Sequence, residues 1–280
     1  MEHNAILVIL VWLFEIVGFI TTVKWIIKKI RLIITKIQIG ITNFYFKDKP
    51  GKIIKFPTES EQTKYYESAY FRATRKTYQE VINDSGRYGE YLIYDYLKDF
   101  QNSGGRFLFN CYLNKENDQT TEIDVILIHY NGIFVFESKN YSGWIFGNEE
   151  SEYWTQTLPV KRGVSHKEQF FNPIMQNNVH IKALKRIVGS NIPIYSIIVF
   201  SERCTLKDIT ITSPDILVIQ RNEIFSTVNK ILFKNNHSLD TNQIEDLYQK
   251  LYPYTQVSEE IKQQHIENIK QNIQHESEQI

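Results

Sequence analysis

The chain has 280 residues, enough for one large domain or for one domain with appendages, and its 32 basic and 32 acidic residues cancel. A formal charge of zero gives no global attraction to nucleic acid, so any such binding has to rest on a local patch. Cys111 and Cys204 stand apart in or beside predicted strands; they read as buried thiols of a reducing compartment, and their isolation excludes a structural zinc site.

Residues 5–23 form an apolar run about long enough to span a bilayer as a helix. Glu15 interrupts it at a cost of about 3 kcal/mol near a bilayer centre, which the apolar neighbours can offset. A cleaved signal peptide is the rival reading, weakened because no basic residue precedes the run; a packed soluble helix is the third. Lys24, Lys28, Lys29, Arg31 and Lys36 follow the run, which predicts a single-pass anchor in the cell membrane with the rest of the chain in the cytoplasm. Glu15 is also a candidate contact for helix–helix association, and hence for a homo-oligomer. Residues 24–39 alternate basic and apolar at helical spacing, as a segment lying along an anionic leaflet would. The Pro, Gly and mixed charge of residues 43–58 read as a linker, and residues 59–82 as an amphipathic helix.

A turn cluster, Asn83-Asp84-Ser85-Gly86, leads into a helix from about 86 to 99. Glu90 precedes Ile93 and Leu97 by three and seven residues, which places it on the apolar stripe. A carboxylate there is either a stripe-edge residue in solvent or one that is paired or coordinating. Residues 106–113 form a first strand. Ile123–Lys139 then read as a hairpin turning at Asn131-Gly132, a dipeptide that tolerates the positive φ of a type I′ turn. That register pairs Ile126 with Glu137 and Asp124 with Lys139, so Asp124, Glu137 and Lys139 share one face at the open end. A frayed strand end with a cross-strand ion pair is the plain explanation. The functional one is a divalent-metal site, because two carboxylates plus waters suit Mg²⁺.

Residues 141–170 show no regular pattern; their Lys161-Arg162 and His166-Lys167 read as a basic loop. Asn172-Pro173 opens a helix that Gly189 closes. Gln176 lies in its first turn. His180, one turn on, reads as surface or packing, with no partner visible in the sequence. Residues 192–200 are apolar throughout, as a strand buried on both faces should be, reached by a crossover from the preceding helix. More strand follows over 209–220, broken at Ser213-Pro214, then helices over about 221–234 and 240–251. The polar tail from 256 is helical or partly disordered, with no evident chemistry. A P-loop, a Gly-x-Ser-x-Gly elbow and a His-Glu-x-x-His motif are all absent from the sequence.

Asp124, Glu137-Ser138-Lys139 and Asn140-Tyr141-Ser142-Gly143, together with Gly86-x-x-Gly89-Glu90 and Asn172-Pro173-x-x-Gln176, resemble the nuclease-related domain, NERD, a branch of the PD-(D/E)XK nuclease superfamily. The likeness covers roughly residues 83–205. It implies a restriction-endonuclease-like α/β core, a central mixed sheet flanked by helices, and metal-dependent hydrolysis of phosphodiester bonds, most readily in DNA. It further implies that Asp124 and Glu137 ligate Mg²⁺ or Mn²⁺, that Glu90 holds metal water or a second ion, that Lys139 positions the attacking water, and that Gln176 supports water or substrate. The resulting layout is an anchor and basic helix over 1–40, a linker and helix over 41–82, a nuclease-like domain over 83–235 and a tail over 236–280. A catalytically inactive, membrane-tethered module of the same fold that binds nucleic acid or protein is the alternative.

Overall fold

The computed structural model describes residues 58–116, 119–159, 165–234 and 238–277. The expected membrane span, the basic juxtamembrane segment, nearly all of the 43–58 linker and the Lys161-Arg162 pair lie outside these residues. Among the described residues no helix is long and apolar enough to cross a membrane.

The frame is a five-stranded mixed sheet. Strands β1 (Arg106–Asn114), β2 (Thr120–His129) and β3 (Gly132–Lys139) run antiparallel as a meander. On the other edge of β3, β7 (Ile194–Phe200) and β9 (Ile216–Gln220) pair parallel, giving the order β1-β2-β3-β7-β9. Helices cover both faces. One face packs on α4 (Ser85–Leu97), on three short helices before it, α1 (Glu59–Glu67), α2 (Ala69–Thr74) and α3 (Tyr78–Asn83), and on α6 (Ile224–Lys234). The other packs on α5 (Pro173–Val188) and α7 (Thr241–Leu251). The single amphipathic helix expected over 59–82 is thus three, because Ser68 and Thr77 each cap a new helix start with a side-chain oxygen. The polar C-terminal segment holds α7, whose Ile244, Leu247 and Leu251 are buried against the sheet, and α8 (Glu259–Ser277).

The hairpin register differs from the one expected. His129 pairs with Gly132 and Ile128 with Ile133, so Tyr130-Asn131 form the turn and Gly132 opens β3. Asn131 does not take positive φ. It is buried, and its amide donates to the Leu232 carbonyl. Gly132 does take it, at φ 132°, but for a tertiary reason: a Cβ there would collide with the Pro193 carbonyl, which accepts the Ile133 N–H. The pairing slides by two residues relative to the expectation, so every side chain keeps its face.

The expectation of an irregular 141–170 is corrected. A second sheet, ordered β6-β5-β4-β8, is made of β4 (Gly143–Asn148), β5 (Tyr153–Pro159), β6 (Ser165–Phe171) and β8 (Cys204–Thr210). Its strands lack a period-two signal because β6 is exposed along nearly all its length. The sheet is fastened by buried Trp154, stacked on Phe200 of β7 with the rings 6.0 Å apart. Asn172 adds a polar clamp, donating to the carbonyls of Asn148, Glu149 and Ser151 while it caps α5.

Candidate active site

The site forms at the open end of the hairpin, where the β2–β3 pairing runs out beyond Val125 and Phe136, between α4 and α5. Gly89 allows α4 to approach. A Cβ on it would lie 2.5 Å from Ser138 Oγ and 3.4 Å from Asn140 Cβ, so a larger residue has to lift the helix or displace Ser138. Asp84 starts the helix by accepting from the Gly86 and Arg87 N–H groups. The Gly-x-x-Gly-Glu pattern is therefore a cap, a close approach and a carboxylate delivered to the sheet.

On the α5 side Glu137 is almost fully buried and holds two basic groups. Lys139 Nζ lies 2.8 Å from Oε1, and His180 Nε2 lies 3.0 Å from Oε2. Lys139 Nζ also donates to Gln176 Oε1 at 2.9 Å, and His180 Nδ1 meets Thr121 Oγ1 at 2.6 Å. Burial opposes ionisation of Glu137, but Lys139 and His180 outweigh it and hold the carboxyl below the usual range. Burial likewise pulls Lys139 down, and Glu137 more than restores it, so its ammonium form is reinforced. His180 is the main correction to the sequence reading: it is 3% exposed and tied at both ring nitrogens. Its spacing of four from Gln176, which stacks both on one face of α5, was the available signal.

On the α4 side Glu90 is nearly buried, and among the described residues it forms no ion pair with a cation. Its Oε2 accepts from the Tyr70 hydroxyl at 3.1 Å and from Asn110 Nδ2 at 3.4 Å. Asn110 Nδ2 also donates to Glu122 Oε1 at 3.1 Å. Burial and the neighbouring Glu122 push the Glu90 carboxyl up to about 7. Tyr70, Asn110 and Glu122 carry no motif that sequence could flag. They meet because the alternation of β1 and β2 reverses at Asn110, which takes a left-handed φ of 51°. Phe107 and Phe109 face α4, whereas Cys111 and Leu113 face α5; Val125 and Ile123 divide the same way on β2.

Asp124 sits at that reversal, between the two groups. Its Oδ2 accepts the Ser138 N–H at 3.0 Å. Burial, then Glu137, then Glu90 raise its carboxyl well above the usual range. The structure thus draws Glu90 and Glu137 into electrostatic reach of Asp124, and joins Glu137, Lys139 and Gln176 by direct contact. Among the described residues no three His, Cys, Asp or Glu side chains converge closely enough to hold a metal ion as they stand.

A mixed sheet between helices, with carboxylates and a lysine gathered at one edge of a strand pair, is an arrangement suited to phosphoryl chemistry. Residues 85–201 match the family model of the nuclease-related domain, NERD, and this part of the chain is a nuclease-related domain. An uncharacterized protein of Bacillus anthracis is 29% identical over 181 residues, which cover 65% of this chain and 82% of that protein. No solved structure matches the chain.

Proposed function

We propose that the chain is a membrane-anchored, metal-dependent nuclease that hydrolyses phosphodiester bonds in DNA, on a restriction-endonuclease-like core. The observation that carries this reading is the placement of Asp124 between buried Glu137, which is joined to Lys139 and Gln176, and buried Glu90. Three carboxylates are crowded at one strand edge, and burial together with Glu137 and Glu90 disfavours the Asp124 anion. A divalent cation relieves that conflict, and the all-oxygen donor set fits hard Mg²⁺ or Mn²⁺. Asp124 and Glu137 would hold the ion, with Glu90 facing its waters. When bound, it supplies Lewis-acid stabilisation of charge developing on the phosphoryl group.

The chain's own residues supply the rest. Lys139, fixed by Glu137 and Gln176, presents a positive charge and orients the attacking water. Glu90, pushed up to about 7, accepts a proton from water near neutral pH. His180 is a positioning residue that fixes the second oxygen of Glu137. The anchor, residues 5–23, would place this domain on the cytoplasmic side, a reading that rests on the sequence alone.

A second reading, a non-catalytic module that binds nucleic acid or protein, draws support from Glu137, both of whose oxygens are already engaged. The two separate in one assay. Full-length protein in detergent is incubated with supercoiled, linear and single-stranded DNA, in Mg²⁺, Mn²⁺ or EDTA. The nuclease reading expects cleavage that needs the metal and falls at least ~100-fold in Asp124→Ala and Lys139→Ala. Folded protein that cuts nothing with either metal overturns the nuclease reading in favour of the binding module.

A further inference from the structure

Three parallel strands end together beside the site. Lys139 pairs with Phe200 and Phe200 with Gln220, so the next residues, Asn140, Ser201 and Arg221, lie side by side beyond the carboxyl ends of β3, β7 and β9. In open α/β sheets this is the crevice where ligands bind. Two guanidinium groups converge on one oxygen here. Arg203 Nη2 donates to Asn140 Oδ1 at 3.1 Å, and Arg221 Nη2 donates to the same atom at 3.2 Å. Arg203 is exposed and is further held by the Asn140 carbonyl at 2.7 Å and by Ser201 Oγ at 3.1 Å. Arg221 is only 2% exposed, yet its Nε and Nη1 have no hydrogen-bond partner. An arginine so deeply buried with unmet donors is costly unless an anion answers it.

Among the described residues the acid that meets it, Glu202, is loosely held. Glu202 Oε2 lies 3.3 Å from Arg221 Nη2, and Glu202 Oε1 accepts from the Tyr96 hydroxyl at 3.4 Å, both at the long end of the range. Glu202 is itself exposed. Two arginines against one exposed carboxylate leave a net positive charge beside Lys139. We infer that Arg203, Arg221 and Asn140 form a phosphate subsite, which holds a backbone phosphate of nucleic acid flanking the scissile one and in which the Glu202 carboxylate stands where that phosphate binds. Planar guanidinium forks suit phosphate oxygens, and the local pair answers the absence of any global positive charge. Asn140 then has two tasks. It seats both arginines, and its amide donates to the Ser85 carbonyl, which ties the subsite to the start of α4.

The inference rests on the nuclease reading for its substrate but is tested without catalysis. Full-length protein in detergent and EDTA is titrated into fluorescein-labelled DNA, with anisotropy read from roughly 50 to 300 mM KCl. A peptide nucleic acid of the same sequence serves as the neutral-backbone control. Arg203→Ala is expected to bind DNA about 5–10-fold more weakly and to lower the salt slope by about 1. Glu202→Gln is expected to bind DNA a few-fold more tightly, and neither change should alter the response to the neutral backbone. Glu202→Gln also guards against misfolding, because a structural brace would be loosened by it and bind DNA more weakly, whereas a carboxylate in the phosphate's place yields tighter binding when it is neutralised. DNA affinity unchanged in Arg203→Ala, weaker binding by Glu202→Gln, or no DNA binding by the parent protein overturns the subsite. In Mg²⁺, cleavage with an unchanged KM in Arg203→Ala sinks the subsite alone. The expected binding pattern with no cleavage sinks the nuclease reading alone.

Discussion

Glu137 and Glu90 lie on opposite sides of one strand edge and are buried to a similar depth, but they face opposite electrostatics. Glu137 is clasped by Lys139 and His180, so its charge is secured by neighbours from its own strand and from α5. Among the described residues Glu90 is hydrogen-bonded by a tyrosine hydroxyl and an asparagine amide, and the Glu122 charge repels it. Burial alone predicts the same behaviour for both. What separates them is whether a cation is built into the fold or left to be supplied. One half of the site is complete in its fixed charges; the other is in deficit, as a half that awaits a cation should be.

The largest break in that contrast comes from Glu137→Gln. It strands Lys139 in the interior without a counter-charge and weakens the hold on His180 Nε2, and should cost about 3 kcal/mol in urea unfolding while abolishing cleavage. Glu90→Gln should act in the opposite direction on stability. The folded carboxyl is raised from its ordinary 4.5 to about 7, so the folded state binds the extra proton and loses stability as pH rises across that window. The neutral amide removes the loss. Without metal, the variant should therefore be more stable than the parent by of order 2 kcal/mol at pH 8 and show no advantage at pH 4, as thermal melts at the two pH values would reveal. Saturating Mg²⁺ should shrink the difference at pH 8, because the cation supplies what the amide makes unnecessary. Gln176→Ala is the mildest. It removes one charge-assisted hydrogen bond from a lysine that keeps Glu137, and should lower kcat several-fold with a stability change of about 1 kcal/mol. A drop in kcat as large as that of Lys139→Ala would mean that Gln176 contacts substrate directly.

The sequence by itself determined the parts whose physics is local. Asn172, Pro173 and Gly189 bound a helix that starts and stops where caps require. Alternation kept Glu137 and Lys139 on one face even though the turn was misplaced, because a slide of two residues preserves the faces of β3, whereas Asp124 lies at the reversal of β2 and meets them only through the Ser138 N–H and electrostatic reach. Glu90 was legible from helical spacing, and the short motifs pointed to the nuclease-related domain that residues 85–201 match. Tertiary structure alone decided the rest. Gly132 opens β3 against the Pro193 carbonyl, sixty-one residues away in sequence, where a Cβ would collide, a contact that the hairpin's own sequence does not show. The left-handed backbone at Asn110 reversed two strands and brought Glu122 and Asn110 under Glu90. The second sheet depends on Trp154 against Phe200, and the arginine pair on three strands that end at one level. Periodicity reports which face a residue takes within one element. Which elements then share an edge is set by packing between segments distant in the chain, and that edge is where His180 found Glu137 and Arg221 found Asn140.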